Sequence, residues 1–449
     1  MSQRSSGHDF LCYNICMGRN VSDLLEKSLD GSRLELLHLL AYQASMLRMP
    51  LYLVGGVVRD VLLGRTVKDF DLVLEGGSAV LAEFALKKYG GRIMVHSRFG
   101  TATWVVNEST FKRLNVPAFQ FPEGDMSFDL ISARAETYAQ PGALPTVKFS
   151  TIDDDLRRRD FTINAMAIRL DGGFFGDLFD PLHGQTDLEK KLIRVLHDRS
   201  FVDDPTRMLR AVRYAVRYGF ELEQGTLHLI NDEARGILSQ LSGERLRHEF
   251  DLIFDEADPS VMLERLAELD LLRPIHFSLA SGDLSRLRFL IDEPGKEFGK
   301  LIVPGILSFQ QTLGWTLYLM NLPLVDLEAL EARLAFPALL AGAVRAASSL
   351  LAELPSLANW KPSQWTFHLD ELPSLAAFAV WRVTSQYQLR EYLTDWQNVK
   401  PITTGDDLKE RGLEPGPKFK EILTRLRAAW LDGEVGTEEE ENLLLEKLL

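Results

Sequence analysis

Two aspartates stand one residue apart in the segment "KDFDLVL", residues 68–74, inside an otherwise apolar run. In a β-strand alternate residues share a face, so the carboxylates of Asp69 and Asp71 would stand side by side and repel each other. Mg²⁺ ions bind carboxylate oxygens and bridge to phosphate oxygens, and two of them can activate a hydroxyl and stabilise a departing phosphate. The spacing is typical of such a Mg²⁺ site; the competing explanation is a solvated strand end.

A strand, a Gly-Gly turn and a helix precede this pair in "LYLVGGVVRDVLLGR", residues 51–65. Gly55 and Gly56 would let a ligand approach backbone N–H groups, and the start of a helix favours anions. A tight turn needed only for packing is the alternative. The segment fits neither GxGxxG nor GxxxxGK[ST], so it gives no support to a dinucleotide site or a P-loop. A Gly-Gly turn, a helix and then the aspartate pair form a more restrictive pattern than either part alone.

A third acid and a basic segment follow. Asp129 lies in the β-like run "SFDLISARAETY" and would complete a carboxylate triad if its strand neighboured the first. In "DLRRRDFTINAMAIRL", Arg159 and the two arginines before it stand beside Asp160, with Asn164 four residues later. Guanidinium groups suit triphosphate oxygens, and a carboxylate can accept hydrogen bonds from ribose hydroxyls. A surface cluster of ion pairs remains the alternative.

The segment "FVDDPTRMLRAVRYAVRYGF" predicts a helix start, with Asp204 as the N-cap and Pro205 as the first helical residue. Arginines then recur at spacings of three and four, which places them on one helix face: Arg207, Arg210, Arg213 and Arg217. A carboxylate and a guanidinium, from Asp204 and Arg207, can pair with the amino donor and ring-nitrogen acceptor of cytosine or adenine and reject uracil and guanine. The alternative is a cap followed by a solvated stripe.

The rest of the chain indicates the elements that hold these residues. Residues 33–48 carry apolar residues at helical spacing, and a helix pattern starts near Val57. Short β-rich runs between residues 51 and 180, with one helix at 77–89, predict a small α+β domain. After about Asp198 the strand signals vanish and helical periodicity dominates. The net charge of −14 lowers the expectation of nucleic-acid binding, although arginines concentrate locally. Two cysteines, no signal-peptide pattern and no long apolar run predict a cytoplasmic protein without membrane contact.

Taken together, the motifs resemble those of the class II tRNA nucleotidyltransferases, or CCA-adding enzymes, and the related bacterial poly(A) polymerases. The resemblance runs from "LVGGVVRDVLLGRTVKDFDLV" through "RRDFTINAMA" to the arginine helix, and returns in "ITTGDDLKERGLEPGPKFKEILTRL". It implies a polymerase-β-like head with a small mixed sheet, followed by helices. The implied divisions are a leader (1–30), head (31–198), neck (199–255), body (256–395) and tRNA-binding tail (396–449).

The resemblance also implies an activity and a role for each motif. The activity is Mg²⁺-dependent addition of C and/or A to the 3′ end of tRNA from CTP and ATP, without a nucleic-acid template and with release of pyrophosphate. Asp69 and Asp71 match the metal ligands, and Asp129 is a candidate third catalytic acid. The candidate nucleotide-binding residues are Gly55, Gly56, Arg59, Arg159, Asp160, Asn164, Asp204, Arg207, Arg210 and Arg213. No obligatory protein partner is evident.

Several alternatives stay open. A poly(A) polymerase would carry a basic run where this chain has "MVHSRFGTATWVV", so the tRNA enzymes fit better. The stretch "NESTFKRLNVPAFQFPEGDMS" does not decide between CCA-, CC- and A-adding subtypes. A silent RNA-binding scaffold is disfavoured because binding alone needs no same-face carboxylates. A nicotinamide-dependent enzyme is disfavoured because the glycine fingerprint is missing.

Overall fold

The computed structural model describes most of the chain: residues 17–67, 70–96, 100–108, 110, 125–137, 141–143, 146–291, 298 and 307–449. The chain divides into two compact units, Met1–Leu238 and Ser239–Leu449. Within the described residues, every β-strand belongs to the first unit, and the second is built from helices. This confirms the predicted fold class, an α+β head followed by a helical remainder.

The strands of the first unit come from short β-branched, aromatic and leucine-rich runs separated by turn residues. In chain order they are β1 (Met17–Asn20), β2 (Leu51–Val54), β3 (Asp71–Leu74), β4 (Arg92–His96), β5 (Thr101–Val106), β6 (Met126–Ser132), β7 (Arg134–Thr137), β8 (Thr146–Phe149), β9 (Ala167–Arg169), β10 (Asp177–Phe179), β11 (Leu192–Ile193) and β12 (Glu221–Leu222). Eight described strands form one sheet in the order β1-β10-β9-β2-β3-β6-β5-β4. Strands β3 and β6 run parallel and the other described neighbours antiparallel, so the sheet is mixed, as predicted.

The helices of the first unit cover the sheet and then continue beyond it. They are α1 (Ser22–Ser28), α2 (Gly31–Met46), α3 (Gly56–Leu62), α4 (Ser78–Tyr89), α5 (Ile152–Arg157), α6 (Gly184–Glu189), α7 (Ser200–Asp203), α8 (Thr206–Tyr218), α9 (Gln224–His228) and α10 (Asp232–Leu238). Helix α2 begins where the Asp30 carboxylate accepts a hydrogen bond from the Arg33 backbone N–H at 2.9 Å. Helix α4 ends at Gly90, whose φ is +88°.

Two short elements of the first unit are not visible in the sequence pattern. Residues 17–28, within the predicted leader, form β1 and α1, and β1 pairs with β10 at the edge of the sheet. Strand signals do not vanish after Asp198, because the two residues of β12 pair with β11. Both elements are very short, and pairing partners far along the chain stabilise them, so local pattern carries little information about them.

One face of the sheet carries both Asp71 and a buried apolar cluster. Because alternate strand residues share a face, Asp71 and Val73 lie on one side and Leu72 and Leu74 on the other. Val73 joins a buried apolar cluster that also includes Tyr52, Val54, Ala133, Ile152, Leu156, Ala165, Ala167 and Phe179. This cluster places α5 and the segment after it against the same face as Asp71.

The described part of the second unit contains these helices: α11 (Gly243–Phe254), α12 (Pro259–Glu268), α13 (Phe309–Leu319), α14 (Leu324–Leu334), α15 (Ala338–Glu353), α16 (Pro362–Asp370), α17 (Ser374–Thr384), α18 (Tyr387–Thr394), α19 (Gly405–Glu410), α20 (Pro417–Leu431) and α21 (Glu438–Leu448). Its core includes the fully buried Trp315, packed 5.5 Å from Phe250 and 5.0 Å from Phe254 between ring centroids. The Trp315 Nε1–H donates to the Asp251 carboxylate at 2.7 Å.

The end of the chain is packed rather than extended. Leu445 of α21 lies in a buried cluster with Leu408, Ile422 and Leu426. The buried Glu441 carboxylate accepts hydrogen bonds from the backbone N–H groups of Ile402 (2.9 Å) and Thr403 (2.6 Å). The acidic run at residues 438–441 therefore begins a docked helix.

One segment among the described residues, Ala338–Leu357, is long and apolar enough to cross a membrane by length and composition alone. A helix in the core of a globular protein passes the same test. Leu340, Val344, Ala347 and Leu350 on this helix are buried against the rest of the second unit.

Candidate active site

Two of the predicted carboxylates meet on neighbouring strands. Asp71, the first residue of β3, is the direct register partner of Asp129 in the parallel strand β6. The hydroxyl of Thr103, on the next strand β5, donates to Asp129 Oδ1 at 2.6 Å and orients that carboxylate. Asp71 is exposed and Asp129 half-buried, so both can be reached from solvent. The predicted same-face placement of Asp69 lies outside the described residues.

The donor set suits a divalent cation. Neighbouring strands lie about 4.8 Å apart, which brings the two carboxylates within reach of one or two bound ions. Carboxylate and hydroxyl oxygens are the ligands such hard cations take. Among the described residues, no group of three or more His, Cys, Asp or Glu gathers around a possible metal position. Asp71 and Asp129 are the described candidates for metal ligands because strand register brings them together.

The Gly-Gly turn lies beside these carboxylates. Leu53 pairs with Leu72, so the C-terminal end of β2 lies next to the N-terminal end of β3. Gly55 follows β2 with φ +74°, a backbone conformation that glycine adopts without strain. A Cβ at Gly55 would stand 2.5 Å from Arg159 Nη1, so the absence of a side chain lets this guanidinium approach the turn. Helix α3 begins at Gly56, one residue earlier than the predicted start.

A continuous hydrogen-bonded chain links α3 to α8. The buried Arg59 donates through Nη1 to Asn164 Oδ1 at 2.5 Å, and Asn164 Nδ2 donates to Asp160 Oδ1 at 2.9 Å. Asp160 Oδ2 accepts from Arg210 Nε at 2.9 Å and Nη2 at 2.6 Å. Arg210 Nη2 also lies 3.2 Å from the Tyr214 hydroxyl. Four predicted nucleotide-binding residues are thus brought together in one network.

This network stabilises the ionised form of the Asp160 carboxyl. Burial favours its neutral form, but the charge of Arg210 and hydrogen bonds from Asn164 and Arg210 outweigh burial and lower the pKa of the Asp160 carboxyl. The backbone N–H of Phe161 adds a further hydrogen bond to Oδ1 at 2.9 Å. Asp160 is therefore an ionised buried group.

A second buried aspartate holds the arginine run. Asp155 is fully buried and accepts from Arg158 Nη2 at 2.8 Å through Oδ1 and from Arg159 Nη2 at 2.9 Å through Oδ2. Burial favours the neutral acid, yet the charges of Arg159 and Arg158 together lower the pKa of Asp155. The alternative of a loose surface cluster therefore does not describe this part of the run. Asp155 was not predicted as a site residue, although its i+3 and i+4 spacing to these arginines, which directly follow α5, is visible in the sequence.

The start of α8 differs by one residue from the prediction. The N-cap position is Pro205 and the first helical residue is Thr206, because Asp204 has an extended backbone and ends α7. The Asp204 carboxylate still serves the helix start: its Oδ1 accepts from the Thr206 N–H at 3.2 Å and the Thr206 hydroxyl at 2.7 Å. Boundary shifts of this size are usual at helix ends.

The arginines of α8 do not form a uniformly solvated stripe. Arg207 and Arg213 are 5% and 4% exposed, whereas Arg217 is exposed. Arg207 donates through Nη1 to the Ser200 hydroxyl at 2.8 Å and through Nη2 to the Arg158 carbonyl at 2.9 Å. Arg210 forms an ion pair with the Asp160 carboxylate. Hydrogen bonds to protein groups therefore hold Arg207 and Arg210 in place.

Two tyrosines of α8 that were not predicted as site residues pack against the Arg59 guanidinium. The Arg59 guanidinium carbon lies 4.4 Å from the Tyr218 ring centroid and 5.4 Å from that of Tyr214. Arg65 lies over the same Tyr218 ring at 4.6 Å, and the Tyr218 hydroxyl is 3.2 Å from Asp60 Oδ1. The i, i+4 spacing of two aromatic residues in "RYAVRY" is the sequence signal that points to a shared face.

Replacing Tyr218 by leucine is expected to lower the free energy of unfolding by about 2 kcal/mol, because two cation–π contacts and one hydrogen bond to a carboxylate are lost. Tyr218→Phe keeps the ring and should cost about 1 kcal/mol. Denaturant unfolding curves of the two variants and the unmodified protein measure both effects. Equal stability of the leucine variant and the unmodified protein would contradict the role of the ring.

Comparisons with known proteins identify the family of this chain. The chain matches two family models, the Poly A polymerase head domain over residues 51–194 and the probable RNA and SrmB-binding site of polymerase A over residues 219–281. The A-adding tRNA nucleotidyltransferase of Halalkalibacterium halodurans is 35% identical over 428 residues, which cover 93% of this chain and 92% of that protein.

Solved structures give the same result for the fold. A CCA-adding enzyme in its apo form II has a TM-score of 0.74 and 29% identity, covering 96% of this chain and 99% of that chain. The Thermotoga maritima CCA-adding enzyme complexed with tRNA has a TM-score of 0.67 and 28% identity, covering 96% and 98%. Because similarity extends over nearly the whole of these chains, this protein belongs to the family of tRNA nucleotidyltransferases and the related bacterial poly(A) polymerases.

Proposed function

We propose that this protein adds C and/or A to the 3′ end of tRNA from CTP and ATP, without a nucleic-acid template. The observation that carries the proposal is the register pair Asp71 and Asp129 next to the Arg59–Asn164–Asp160–Arg210 network. The Gly-Gly turn links the two groups, because it follows the strand paired with β3 and lies against Arg159. The family supports the substrates, since solved relatives include complexes with tRNA, ATP and CTP.

The reaction is a single displacement. The tRNA 3′-hydroxyl releases its proton to solvent as its oxygen forms a bond to the α-phosphorus, the bond from that phosphorus to the bridging oxygen breaks, and pyrophosphate leaves. Asp71 and Asp129, together with Asp69, would hold Mg²⁺, which when bound lowers the pKa of the attacking hydroxyl and stabilises the leaving charge. Arg159, beside the Gly-Gly turn, and Arg210 orient the triphosphate, and fixed positive charge at the developing negative charge provides much of the acceleration.

In this proposal the main role of Asp160 is to position Asn164 and Arg210. Its carboxylate already accepts from Asn164, Arg210 and the Phe161 N–H, so a contact to the nucleotide ribose would replace one of these bonds. Base selection is assigned to Asp204 and Arg207, with Arg213 supporting the same helix face. Gly55, Gly56 and Arg59 shape the side of the pocket formed by α3.

A second candidate is the specialist that adds only the terminal A. The name of the H. halodurans relative favours it, because that protein is an A-adding enzyme and matches over 92% of its length. One assay separates the candidates: purified protein with tRNA ending before CCA, or ending in CC, and each nucleoside triphosphate alone and together, with the products sequenced. An A-specialist extends only the CC-ended tRNA, whereas a poly(A) polymerase adds many A residues. No incorporation on either tRNA would contradict the proposal.

The domain limits and the cellular location are part of the same proposal. We assign the head to residues 31–198, the neck to 199–255, the body to 256–395 and the tRNA-binding tail to 396–449, after a leader at 1–30. The enzyme acts in the cytoplasm with its tRNA substrate. The tail offers the exposed start of α20, with Lys418 and Lys420 exposed beside backbone N–H groups.

Binding of tRNA to this protein is expected to weaken steeply as salt rises, because phosphate contacts release counterions. About six such contacts would lower the association constant by about 10³-fold between 50 and 200 mM salt. Fluorescence anisotropy with labelled tRNA over that salt range measures the slope. The double variant Lys418→Gln/Lys420→Gln should flatten it, and an unchanged slope would remove these lysines from the tRNA contact.

A further inference from the structure

The residues assigned to base selection are themselves held by two hydroxyl groups. Thr206, the first residue of α8, is 7% exposed, and Ser200, the first residue of α7, is fully buried. Each hydroxyl contacts one member of the base-reading pair: Thr206 contacts Asp204, and Ser200 contacts Arg207.

Thr206 holds one oxygen of the Asp204 carboxylate. Thr206 donates twice to Oδ1, from its hydroxyl at 2.7 Å and from its backbone N–H at 3.2 Å. Two donors on the same oxygen define the plane of the carboxylate and the direction of Oδ2. The backbone bond exists for any non-proline residue at this position, but the hydroxyl bond requires threonine or serine.

The Arg207 guanidinium is fixed through both terminal nitrogens. Nη1 donates to the Ser200 hydroxyl at 2.8 Å, and Nη2 donates to the Arg158 carbonyl at 2.9 Å. Arg158 is in turn held by the buried Asp155, so the guanidinium is anchored both to α7 and to the end of α5. The side chain is 5% exposed, so these contacts are shielded from water.

Discrimination between bases depends on such fixed geometry. Cytosine and adenine present a donor beside an acceptor, and uracil and guanine present the reverse order. A carboxylate and a guanidinium that could rotate would find hydrogen bonds with either order. Sites that discriminate must hold their polar groups within about 0.5 Å of the productive position, which locked neighbours provide.

We propose that Thr206 and Ser200 are specificity-determining positioning residues, whose hydroxyls lock Asp204 and Arg207 in the orientation that accepts C and A and rejects U and G. This proposal rests on the proposed function, since it presumes that the pair reads the incoming base. The simpler role, a contribution of Thr206 to the helix start alone, predicts a loss of stability without a change in base choice.

The test compares full-length variants by kcat/KM for each nucleoside triphosphate on tRNA. Thr206→Val and Ser200→Ala remove the hydroxyls, and Thr206→Ser retains one. Because a base contact whose partner is no longer held in place discriminates less well, the ratio of the preferred nucleotide to UTP or GTP should fall about 10-fold in the first two variants. Thr206→Ser should keep the ratio of the unmodified protein. Thr206→Ala, which is smaller than valine, replaces Thr206→Val if the latter does not fold.

Asp204→Ala separates failure of this inference from failure of the proposed function. If Asp204→Ala loses base choice while Thr206→Val and Ser200→Ala keep it, the positioning role is overturned and the base-reading pair stands. If Asp204→Ala keeps full base choice, the base-reading assignment fails and the positioning role fails with it. Thermal melts that change without any change in the nucleotide ratio would assign Thr206 to the helix start only.

Discussion

Asp71→Asn is expected to reduce kcat for nucleotide incorporation by about 10³-fold or more, because removing one charge from the carboxylate pair weakens metal binding at the point where negative charge develops. Binding of tRNA and thermal stability should change little, since Asp71 is an exposed residue at the start of β3. Incorporation of labelled AMP or CMP into tRNA measures the first effect, and anisotropy and melting curves measure the others.

The control for this experiment is Asp232→Asn, which removes a fully exposed carboxylate paired with Arg235 on the surface of α10. That variant should retain activity. Asp129→Asn should follow Asp71→Asn, since the two residues are register partners. Parallel loss of tRNA binding and of activity in Asp71→Asn would indicate a structural residue and contradict the catalytic assignment.

Asp160→Asn is expected to lower the free energy of unfolding at pH 7 by about 3 kcal/mol, because it leaves the Arg210 guanidinium without its carboxylate in a largely buried pair. The pair is 9% and 29% exposed at its side chains, so solvent screens it little. Chemical denaturation at pH 7 measures the loss. The matched control is Asp153→Asn on α5, whose ion pair with Arg157 is solvent-exposed and should contribute less than about 1 kcal/mol.

The pH dependence of the free energy of unfolding provides a second test of the Asp160 carboxylate. The pKa of Asp160 is lower in the folded protein than in the unfolded chain. The stability that its charge provides is therefore present above the unfolded pKa of about 4 and is lost as the pH falls through the lower, folded value. Asp160→Asn should flatten this acid side of the stability profile. An acid profile identical to that of the unmodified protein would contradict the ionised state of Asp160.

The sequence was sufficient to predict the local elements of the site. The Gly-Gly turn, the apolar strand that begins at Asp71 and the arginine helix each follow from residue pattern within a few positions, because short-range geometry determines them. The helix predicted over 33–48 occupies Gly31–Met46, and the one over 77–89 occupies Ser78–Tyr89.

The pairing of these elements could not be predicted in the same way. Arg59 reaches Asn164 across 105 residues, and Asp160 reaches Arg210 across 50, so each contact depends on strand order and packing. Asp129 was a candidate only on the condition that its strand neighboured β3. Arg59 is an example. The sequence motif predicted this arginine as a site residue, but its position over the Tyr218 ring follows from the three-dimensional fold.

The pairing of β3 with β6 has a consequence for the order of events when this enzyme folds. These strands are the parallel neighbours within the described sheet, and the chain between them includes α4, β4 and β5. Long loops must close before such a contact forms, and nonlocal pairings of this kind are slow steps in folding. Catalytic competence should therefore arise late during refolding, after most helical circular dichroism has returned, which makes incorporation activity a stringent measure of native protein in a refolded preparation.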